Sequence, residues 1–366
     1  MKFQIQRDQL LAPLQQIIGA VEKRQTMPAL SNVLLQAEEG LLRLTTTDLE
    51  IELQAQLAMV IDEPGAITVP ARKLLDICKA LPDEAQIDFS IDDNKARIRS
   101  GRSRFSLVTL PAADFPVVDA IDSQFSFEIA QNTLRLLIEK TAFAMAQQDV
   151  RYYLNGLLFE VSAQKIRTVA TDGHRLAFAE KSLDSNIADV KQVILPRKGV
   201  LELLRLLGDS EEPVRLVLAS NQMQVESDGV RFTSKLIDGR FPDYNRVIPE
   251  SDSQLLTADR ESLKQALVRA SILSNEKYRG IRLILNKNLL KLQAQNPDHE
   301  EADIEVEVNY EGSDIEIGFN VNYILDVLNS SDSEMVQSSL RDSNSSCLLT
   351  FPDQPDYKYV IMPMRL

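Results

Sequence analysis

Leu154-Asn-Gly-Leu-Leu-Phe-Glu160, continued by Ile166-Arg-Thr-Val-Ala-Thr-Asp-Gly-His-Arg-Leu176, contains a pattern that recurs along the chain. Apolar residues run or alternate through both halves, and polar residues stand between them. Thr171-Asp-Gly173 ends the second half. This pattern predicts a β-hairpin that enters a turn.

The hairpin pattern occurs three times at one spacing. Arg43 and Asp48 lie 124 positions before Arg167 and Asp172, and Asn296 lies 124 positions after Asp172. A helical pattern repeats in step with it, with apolar residues three and four apart. Its three copies are Pro70-Ala-Arg-Lys-Leu-Leu-Asp76, Pro196-Arg-Lys-Gly-Val-Leu-Glu202 and Asn320-Val-Asn-Tyr-Ile-Leu-Asp326. Two kinds of element in three copies indicate a triplicated domain.

The repeat predicts an α+β fold class, with domains at 1–120, 127–246 and 247–366. Short polar linkers, Val117–Gln124 and Asp243–Ser253, join them. Each copy is expected to hold two helices and about eight strands, with the helices on one face of antiparallel sheet. The first helix of each copy is predicted at 7–21, 131–146 and 259–273.

Composition bears on partners and compartment. The 366 residues carry a formal net charge of −14, which at first argues against a nucleic-acid partner. Basic residues nevertheless collect on two copies of one helix, where a solvated face is the alternative explanation. Cys78 and Cys347 are predicted to be reduced core thiols. With no apolar span and no signal peptide, the sequence predicts a soluble, cytoplasmic protein with no membrane partner.

The group most like an active site is Thr171-Asp-Gly-His-Arg175. A hydrolase using His174 is one interpretation. The chain has only one other histidine, no metal-ligand spacing, no glycine-rich phosphate loop and no nucleophile elbow. The favoured interpretation is a turn at Asp172-Gly173, with His174 and Arg175 starting a strand beside a surface pocket. We therefore predict no enzyme activity, no catalytic residue, no metal and no cofactor.

Four further stretches suggest interactions. Asp149-Val-Arg-Tyr-Tyr153 could stack on bases or simply pack at a domain edge. The apolar stretch Tyr359–Leu366 is expected to dock on the protein. Lys95–Phe105 is basic and Pro297–Glu307 is acidic, which suggests head-to-tail contact between copies of the chain. Solvated edges are the alternative.

Thr171-Asp-Gly-His-Arg-Leu176, Arg240-Phe-Pro-Asp-Tyr244 and Met362-Pro-Met-Arg-Leu366, together with the repeat, make the whole chain resemble the bacterial sliding clamps, the β subunits of replicative DNA polymerase. The resemblance implies a ring-shaped head-to-tail homodimer of DNA-clamp domains, with helices lining the hole, that encircles duplex DNA. It implies a processivity factor that tethers the replicative DNA polymerase, the clamp loader and other proteins with a clamp-binding motif. A DNA-binding or repair factor that forms no ring is the alternative.

The resemblance also implies roles for individual residues. It assigns DNA contact to Arg24, Lys79, Gln148, Tyr152, Tyr153, Arg197, Lys198 and Arg205. It places a partner-peptide pocket at Leu154, Thr171, Gly173, His174, Arg175, Leu176, Pro242, Arg246, Val247, Tyr278, Asn320, Tyr323, Ser346, Val360, Met362, Pro363, Met364 and Arg365. It puts the dimer interface at Lys73, Phe105, Leu107, Ile272, Leu273, Glu300 and Glu301. Tyr278 and Asn344 depart from the family pattern, in which a phenylalanine and an aliphatic residue are more familiar.

Overall fold

A computed structural model describes residues 1–22, 27–116, 118, 125–185, 189–249 and 254–365. The first copy contains helices α1 (Arg7–Ile17) and α2 (Ala71–Ala80) and strands β1 (Lys2–Gln6), β2 (Asn32–Glu38), β3 (Leu41–Thr47), β4 (Ile51–Ala58), β5 (Ile61–Glu63), β6 (Gly65–Pro70), β7 (Gln86–Asp92), β8 (Lys95–Ser100), β9 (Ser103–Val108) and β10 (Leu110–Pro111).

The second copy contains helices α3 (Gln131–Glu139) and α4 (Arg197–Leu206) and strands β11 (Phe125–Ala130), β12 (Gly156–Val161), β13 (Lys165–Thr171), β14 (Arg175–Ser182), β15 (Lys191–Pro196), β16 (Pro213–Leu218), β17 (Gln222–Ser227) and β18 (Val230–Lys235). The third contains helices α5 (Arg260–Ser271) and α6 (Val321–Asn329) and strands β19 (Gln254–Asp259), β20 (Gly280–Asn286), β21 (Leu289–Gln295), β22 (Glu301–Glu307), β23 (Asn309–Tyr310), β24 (Ile315–Asn320), β25 (Met335–Leu340), β26 (Cys347–Thr350) and β27 (Tyr357–Ile361).

These elements confirm the predicted α+β class and the threefold repeat. Strands β3, β13 and β21 begin at Leu41, Lys165 and Leu289, which keeps the 124-residue spacing of the sequence pattern. In α2, Leu74, Leu75 and Cys78 are buried, while basic residues of the same helix are exposed, as an amphipathic helix requires. Among the described residues no helix has the length and apolar character needed to cross a membrane.

Two compact units make up the structure, and their boundaries fall inside the second copy. The first unit comprises Met1–Asn132 and Lys198–Leu236, and the second comprises Thr133–Arg197 and Ile237–Leu366. In the first unit a five-stranded sheet has the order β5-β1-β7-β8-β9, and a nine-stranded sheet has the order β10-β6-β2-β3-β4-β18-β17-β16-β11. The nine-stranded sheet joins the first and second copies through antiparallel pairing of β4 with β18.

The second unit repeats this construction. Its nine-stranded sheet has the order β15-β12-β13-β14-β27-β26-β25-β19-β23, and a four-stranded sheet has the order β22-β21-β20-β24. The large sheet joins the second and third copies through β14 and β27, where Leu176 lies opposite Val360 and Arg175 opposite Ile361. β14, which follows the predicted hairpin of β12 and β13, therefore lies beside the last strand of the chain.

Two helix ends differ from the prediction. α1 stops at Ile17 and is followed by a 3₁₀ turn, Ile18–Ala20. α3 stops at Glu139 rather than near 146, and a 3₁₀ turn, Ala142–Ala144, follows it. The Thr141 hydroxyl donates to the Leu137 carbonyl at 2.7 Å, and the Thr141 amide bonds to Ile138 instead of continuing the helical ladder. A short β-branched residue that satisfies the backbone with its own side chain thus ends the helix.

Candidate functional site

The turn between β13 and β14 is built by its own side chains. The Asp172 carboxylate accepts from the amides of His174 and Arg175 at 2.9 and 3.0 Å. Gly173 has φ +88°, and a Cβ there would lie 3.0 Å from the Arg151 guanidinium. The positive φ favours glycine at this position, and a Cβ would also require the Arg151 side chain to shift. The predicted Asp172-Gly173 turn is confirmed, although β14 begins at Arg175 and His174 remains in the turn.

Arg175 braces this turn against the rest of the unit. Its side chain is only 12% exposed and donates to Asp172 at 3.1 Å, to the Phe143 carbonyl at 2.8 Å and to Asp326. Its guanidinium also lies 4.5 Å from the ring centroid of Tyr323, a cation–π contact. These contacts occupy the guanidinium of Arg175. The side chain therefore stabilises the site and has few donors left for a ligand.

The end of the chain docks beside the turn, as predicted for the residues that the structure describes. The Met362 amide donates to the His174 carbonyl at 2.8 Å, and the Met364 amide donates to the Gly318 carbonyl at 2.9 Å. The first bond continues the pairing of β27 with β14 beyond the strand itself, and the second attaches the chain end to β24. Leu366 lies outside the described residues.

The segment after β18 forms a further side of the site, beside the turn and the chain end. Phe241 and Tyr244 are buried in an apolar cluster with Leu176 and Val360, and Val247 packs against this cluster. The Tyr244 hydroxyl donates to the Glu160 carboxylate at 3.0 Å. Burial and the neighbouring Glu160 charge raise the pKa of Tyr244 to about 12, so the hydroxyl is protonated and can donate at neutral pH.

The loop after α3 closes the remaining side. Asp149 accepts from the Arg151 side chain at 3.0 and 2.9 Å, and these bonds lower the pKa of Asp149 to about 2. The Asn155 side chain spans the loop, accepting from the Asp149 amide and donating to its carbonyl, each at 2.9 Å. Arg151 also donates to the Asp172 carbonyl at 3.3 Å, which ties the loop to the turn.

Together these walls enclose a cavity of about 200 Å³. It is lined by Arg151, Tyr153, Leu154, Thr171, Gly173, Arg175, Leu176, Phe241, Pro242, Tyr244, Val247, Val360 and Met362. Most of the lining is apolar, which suits aliphatic or aromatic side chains of a ligand, and Arg151 adds a charged group to it.

The cavity contains part of the predicted pocket. Its lining includes the predicted Leu154, Thr171, Gly173, Arg175, Leu176, Pro242, Val247, Val360 and Met362. The lining does not include the predicted His174, Arg246, Tyr278, Asn320, Tyr323, Ser346, Pro363, Met364 and Arg365. Asn320 caps α6, accepting from the Asn322 amide at 2.9 Å, and Arg246 pairs with Asp243 at 3.0 Å. Tyr278 and Asn344, the two departures from the family pattern, are both exposed.

Sequence reasoning did not assign Phe241, Tyr244 and Arg151 to the pocket, and it placed Tyr153 among the DNA contacts. A signal for Phe241 and Tyr244 was present, because both belong to the stretch Arg240-Phe-Pro-Asp-Tyr244 that carries the resemblance. Arg151 and Tyr153 lie in a loop whose closure over the turn depends on contacts between residues distant in sequence.

The predicted DNA contacts occupy varied environments. Lys79 and Gln148 are exposed, and Tyr152 is 60% exposed, whereas Tyr153 is half-buried. Lys198 forms an ion pair with Asp48, and Arg205 donates to Glu202 at 2.9 Å and to the carbonyl of Gln15 at 3.2 Å. Arg197 approaches the Met145 carbonyl at 3.4 Å. Arg24 lies outside the described residues.

The predicted dimer residues lie at two sheet edges and on or beside two helices. In the first unit, β9 is an edge strand of the five-stranded sheet and carries Phe105, which is half-buried, and Leu107, which is buried. Side chains alternate along this strand, and that of Val108 is 67% exposed. Lys73 lies on α2 and is exposed. The assignment of these residues to the interface stays a prediction.

In the second unit, β22 is an edge strand of the four-stranded sheet and carries Glu301 at its start. Glu300 and Glu301 are exposed and accept from the side chains of Asn296 and Gln295. Ile272, just after α5, is 73% exposed, and Leu273 is partly exposed. The predicted dimer contact combines apolar residues with an acidic sheet edge. Ile272 is an exposed apolar residue beside such an edge.

The site resembles a binding surface rather than a reaction centre. His174 is exposed and uses its backbone to hold the turn and the chain end. Within the described ranges, no group of three His, Cys, Asp or Glu side chains is placed to hold a metal ion. Three α+β copies that share two nine-stranded sheets, with an apolar cleft where the second and third copies meet, define a protein of the DNA-clamp class.

Comparison with known proteins identifies the family. Models of the N-terminal, central and C-terminal domains of the DNA polymerase III beta subunit match residues 1–119, 128–243 and 245–365. The beta sliding clamp of Pseudomonas aeruginosa is 54% identical over 369 residues, and all of both chains is covered. The beta sliding clamp of Escherichia coli K12 is 51% identical over 367 residues, again with full coverage of both.

A crystal structure of the DNA polymerase III subunit beta from Pseudomonas aeruginosa superposes with a TM-score of 0.98 at 53% identity, covering all of both chains. The chain belongs to the DNA polymerase III beta subunit family. These relatives confirm the fold and the sliding-clamp function that the sequence predicts.

Proposed function

We propose that two copies of this chain close head to tail into a ring around duplex DNA, and that the cavity beside the chain end tethers the replicative polymerase, the clamp loader and other proteins with a clamp-binding motif. The ring would be a processivity factor: it keeps its partners on DNA and catalyses no reaction itself. It would act in the cytoplasm, without a cofactor and without a membrane partner.

The two sheet edges support the head-to-tail contact. β9 and the strand before it expose Arg97, Arg99 and Arg104, whereas β22 exposes Glu301, Asp303, Glu305 and Glu307. An unpaired strand edge presents free backbone donors and acceptors, so β9 of one copy can pair with β22 of another. The opposite charges favour this pairing and oppose pairing of like edges. A contact between two different surfaces closes into a ring when its rotation allows.

The charge distribution supports topological retention on DNA. With a net charge of −14, the chain as a whole repels phosphate, so its direct affinity for DNA should be weak and should fall with salt. Lys79, Gln148 and Tyr152 are exposed and could touch the backbone or bases. Lys198 and Arg205 already have protein partners, which leaves fewer free charges for DNA. A closed ring would not depend on those contacts to stay bound.

The cavity is the observation that carries the tethering function. A largely apolar cleft of about 200 Å³, rimmed by Arg151 and by backbone groups of the turn, fits a short extended peptide. Such a peptide would place two or three aliphatic or aromatic anchors in the cleft and a glutamine at its rim. A few buried anchors supply most of the affinity in interfaces of this kind.

Peptide binding to matched variants tests this function. The probe is a fluorescein-labelled synthetic hexapeptide with one glutamine, two leucines and one phenylalanine, titrated by fluorescence anisotropy. Val247→Glu puts a carboxylate into the apolar lining and should weaken binding at least about tenfold, because a buried unpaired charge is costly. Val150→Glu is the control, since Val150 is 94% exposed on the neighbouring loop and does not line the cavity. Equal affinity of all three proteins would overturn the assignment of this cleft.

A further inference from the structure

Residues 238–249 form one wall of the cleft, and few hydrogen bonds or ion pairs attach this wall to the rest of the chain. Within it, the Val247 amide donates to Tyr244 at 3.1 Å and the Arg246 amide to Asp243 at 3.4 Å. The Arg246 and Asp243 side chains pair with each other at 3.0 Å. These bonds shape the segment internally but do not attach it to the sheet beneath. Its attachment depends on apolar packing and on a further contact of Tyr244.

That contact is the hydrogen bond from Tyr244 Oη to Glu160 Oε1, 3.0 Å long. The Tyr244 hydroxyl also interacts with the Arg167 side chain, which itself donates to Glu160. The Tyr244 ring also packs against Phe178, with centroids 5.9 Å apart. The ring thus faces the cavity cluster while its hydroxyl reaches the surface of the sheet.

The acceptor is held in a row of polar side chains that crosses four strands. Gln192, Glu160, Arg167 and Glu180 are successive cross-strand partners on β15, β12, β13 and β14. Gln192 donates to Glu160 Oε2 at 2.6 Å, and Arg167 donates to Glu160 Oε1 and to Glu180, each at 2.6 Å. Lys165 adds a bond to Glu180 at 2.5 Å. Because Glu160 is buried and held from both sides, its carboxylate is a fixed anchor for the tyrosine.

We infer that Tyr244 is a positioning residue of the partner-binding cleft, whose hydroxyl, anchored by the Gln192–Glu160–Arg167–Glu180 row, holds the wall Phe241–Val247 in the conformation that accepts a peptide. This inference rests on the proposed function of the cleft. A wall fixed mainly by packing retains conformational freedom, and ordering it on binding costs free energy. When only a fraction of molecules has the competent wall, the apparent Kd rises by the inverse of that fraction.

The test compares two tyrosine-to-phenylalanine variants of the full chain. Tyr244→Phe keeps the ring and removes the anchor. Tyr310→Phe is the matched control, because Tyr310 is also buried and its hydroxyl bonds to Gln254 at 2.7 Å and Ser313 at 2.6 Å, but it does not line the cleft. We expect the hexapeptide Kd to rise about threefold to tenfold for Tyr244→Phe, the effect of one hydrogen bond, and to stay unchanged for Tyr310→Phe.

Two further readouts separate positioning from general destabilisation. Hydrogen exchange of the amides at 241–247 should speed up in Tyr244→Phe while exchange in β12 and β13 stays slow. Glu160→Gln retains an oxygen acceptor and should keep more of the affinity than Glu160→Ala. The double variant Tyr244→Phe with Glu160→Ala should bind no more weakly than the weaker single variant, because both remove the same bond.

The outcomes distinguish the inference from the function beneath it. Wild-type affinity in Tyr244→Phe, or additive losses in the double variant, would refute the positioning role while leaving the cleft as the peptide site. If wild-type protein fails to bind the hexapeptide, or if Val247→Glu binds as wild type does, the proposed function itself fails.

Discussion

Arg175 shows how one side chain can set the stability of the site. It is nearly buried and its partners, Asp172, Asp326 and the Phe143 carbonyl, come from the turn, from α6 and from the 3₁₀ turn after α3. Arg175→Ala should lower the melting temperature by about 3 °C or more, because it strands a carboxylate and a carbonyl. Differential scanning calorimetry measures this.

Arg246→Ala is the control at the same rim. Arg246 is exposed, and its pair with Asp243 lies in solvent, so its loss should change stability by less than about 0.5 kcal/mol. Equal melting temperatures for both variants would show that Arg175 does not brace the site.

Glu160 gives the polar row a defined dependence on pH. Burial alone would raise its pKa, but hydrogen bonds from Gln192, Arg167 and Tyr244 outweigh burial and lower it below the usual value of 4.5. A lowered carboxyl pKa means that the stabilisation is present above pH 4.5 and is lost as pH falls through the lower folded value. Glu160→Gln cannot titrate. Its melting temperature should therefore be below wild type at pH 7 and should fall less between pH 7 and pH 3.

The effect of Glu160 is the difference in melting temperature between wild type and Glu160→Gln, since many other carboxylates titrate in both proteins. Parallel melting curves for wild type and Glu160→Gln across this range would show that the row makes no net pH-dependent contribution.

For single residues, the sequence predicted the parts of the site that depend on local patterns. Thr171, Gly173 and Leu176 follow from the turn and the alternation of the strand after it. Sequence reasoning did not assign the helix cap to Asn320, although that contact is local to the start of α6. It could not foresee that Tyr244 would reach across to Glu160, because that partner is chosen by the tertiary fold.

At the element scale, the repeat predicted three like copies but not how their sheets join. Strands such as β1 and β8 alternate in a way that fits an antiparallel neighbour, yet alternation does not specify which strand that neighbour is. The structure pairs β4 with β18 and β14 with β27, so both large sheets cross from one copy to the next. The cleft exists because of the second crossing, which brings the end of the chain to the turn after β13.

The residues at the end of the chain help to form the cleft. Met362 lines the cleft and its amide holds the His174 carbonyl, whereas β27 ends one residue earlier at Ile361. Deleting residues 362–366 should therefore abolish binding of the hexapeptide, of polymerase and of clamp loader, while the sheet stays folded. Anisotropy and circular dichroism measure the two effects.

Competition completes that test, because one cleft can hold one peptide at a time. The unlabelled hexapeptide should displace polymerase and loader alike from the wild-type protein. Unchanged polymerase affinity in the truncated protein, or simultaneous binding of both partners to one protomer, would place the site elsewhere.

For the whole molecule, assembly should depend on the exposed apolar residues at the end of α5. Ile272 is 73% exposed, and Leu273 is partly exposed beside it. An apolar contact centre with charged flanks is the usual construction of a stable interface. Ile272→Ala with Leu273→Ala should cost roughly 2–5 kcal/mol per contact buried in the dimer. Sedimentation should then give a monomer with an unchanged circular dichroism spectrum.

Val60→Ala controls for the loss of an exposed aliphatic side chain elsewhere, since Val60 is also largely exposed. A double variant that remains dimeric at the concentrations where wild type is dimeric would show that the interface does not include the end of α5.

Retention on DNA distinguishes a ring from an ordinary binding protein. An acidic chain should lose direct contact with DNA as salt rises, because phosphate binding releases counterions. A closed ring on a circle has no end from which to slide, so it should remain after a salt step that removes it from linear DNA of equal length. The measurement loads the protein on both DNAs with a clamp loader, raises the salt and separates bound from free protein by gel filtration. Cutting the circle once should release the protein, since the cut supplies an end without changing any contact. Equal loss from both DNAs, or retention after the cut, would mean that direct contacts hold the protein and that no ring surrounds the duplex.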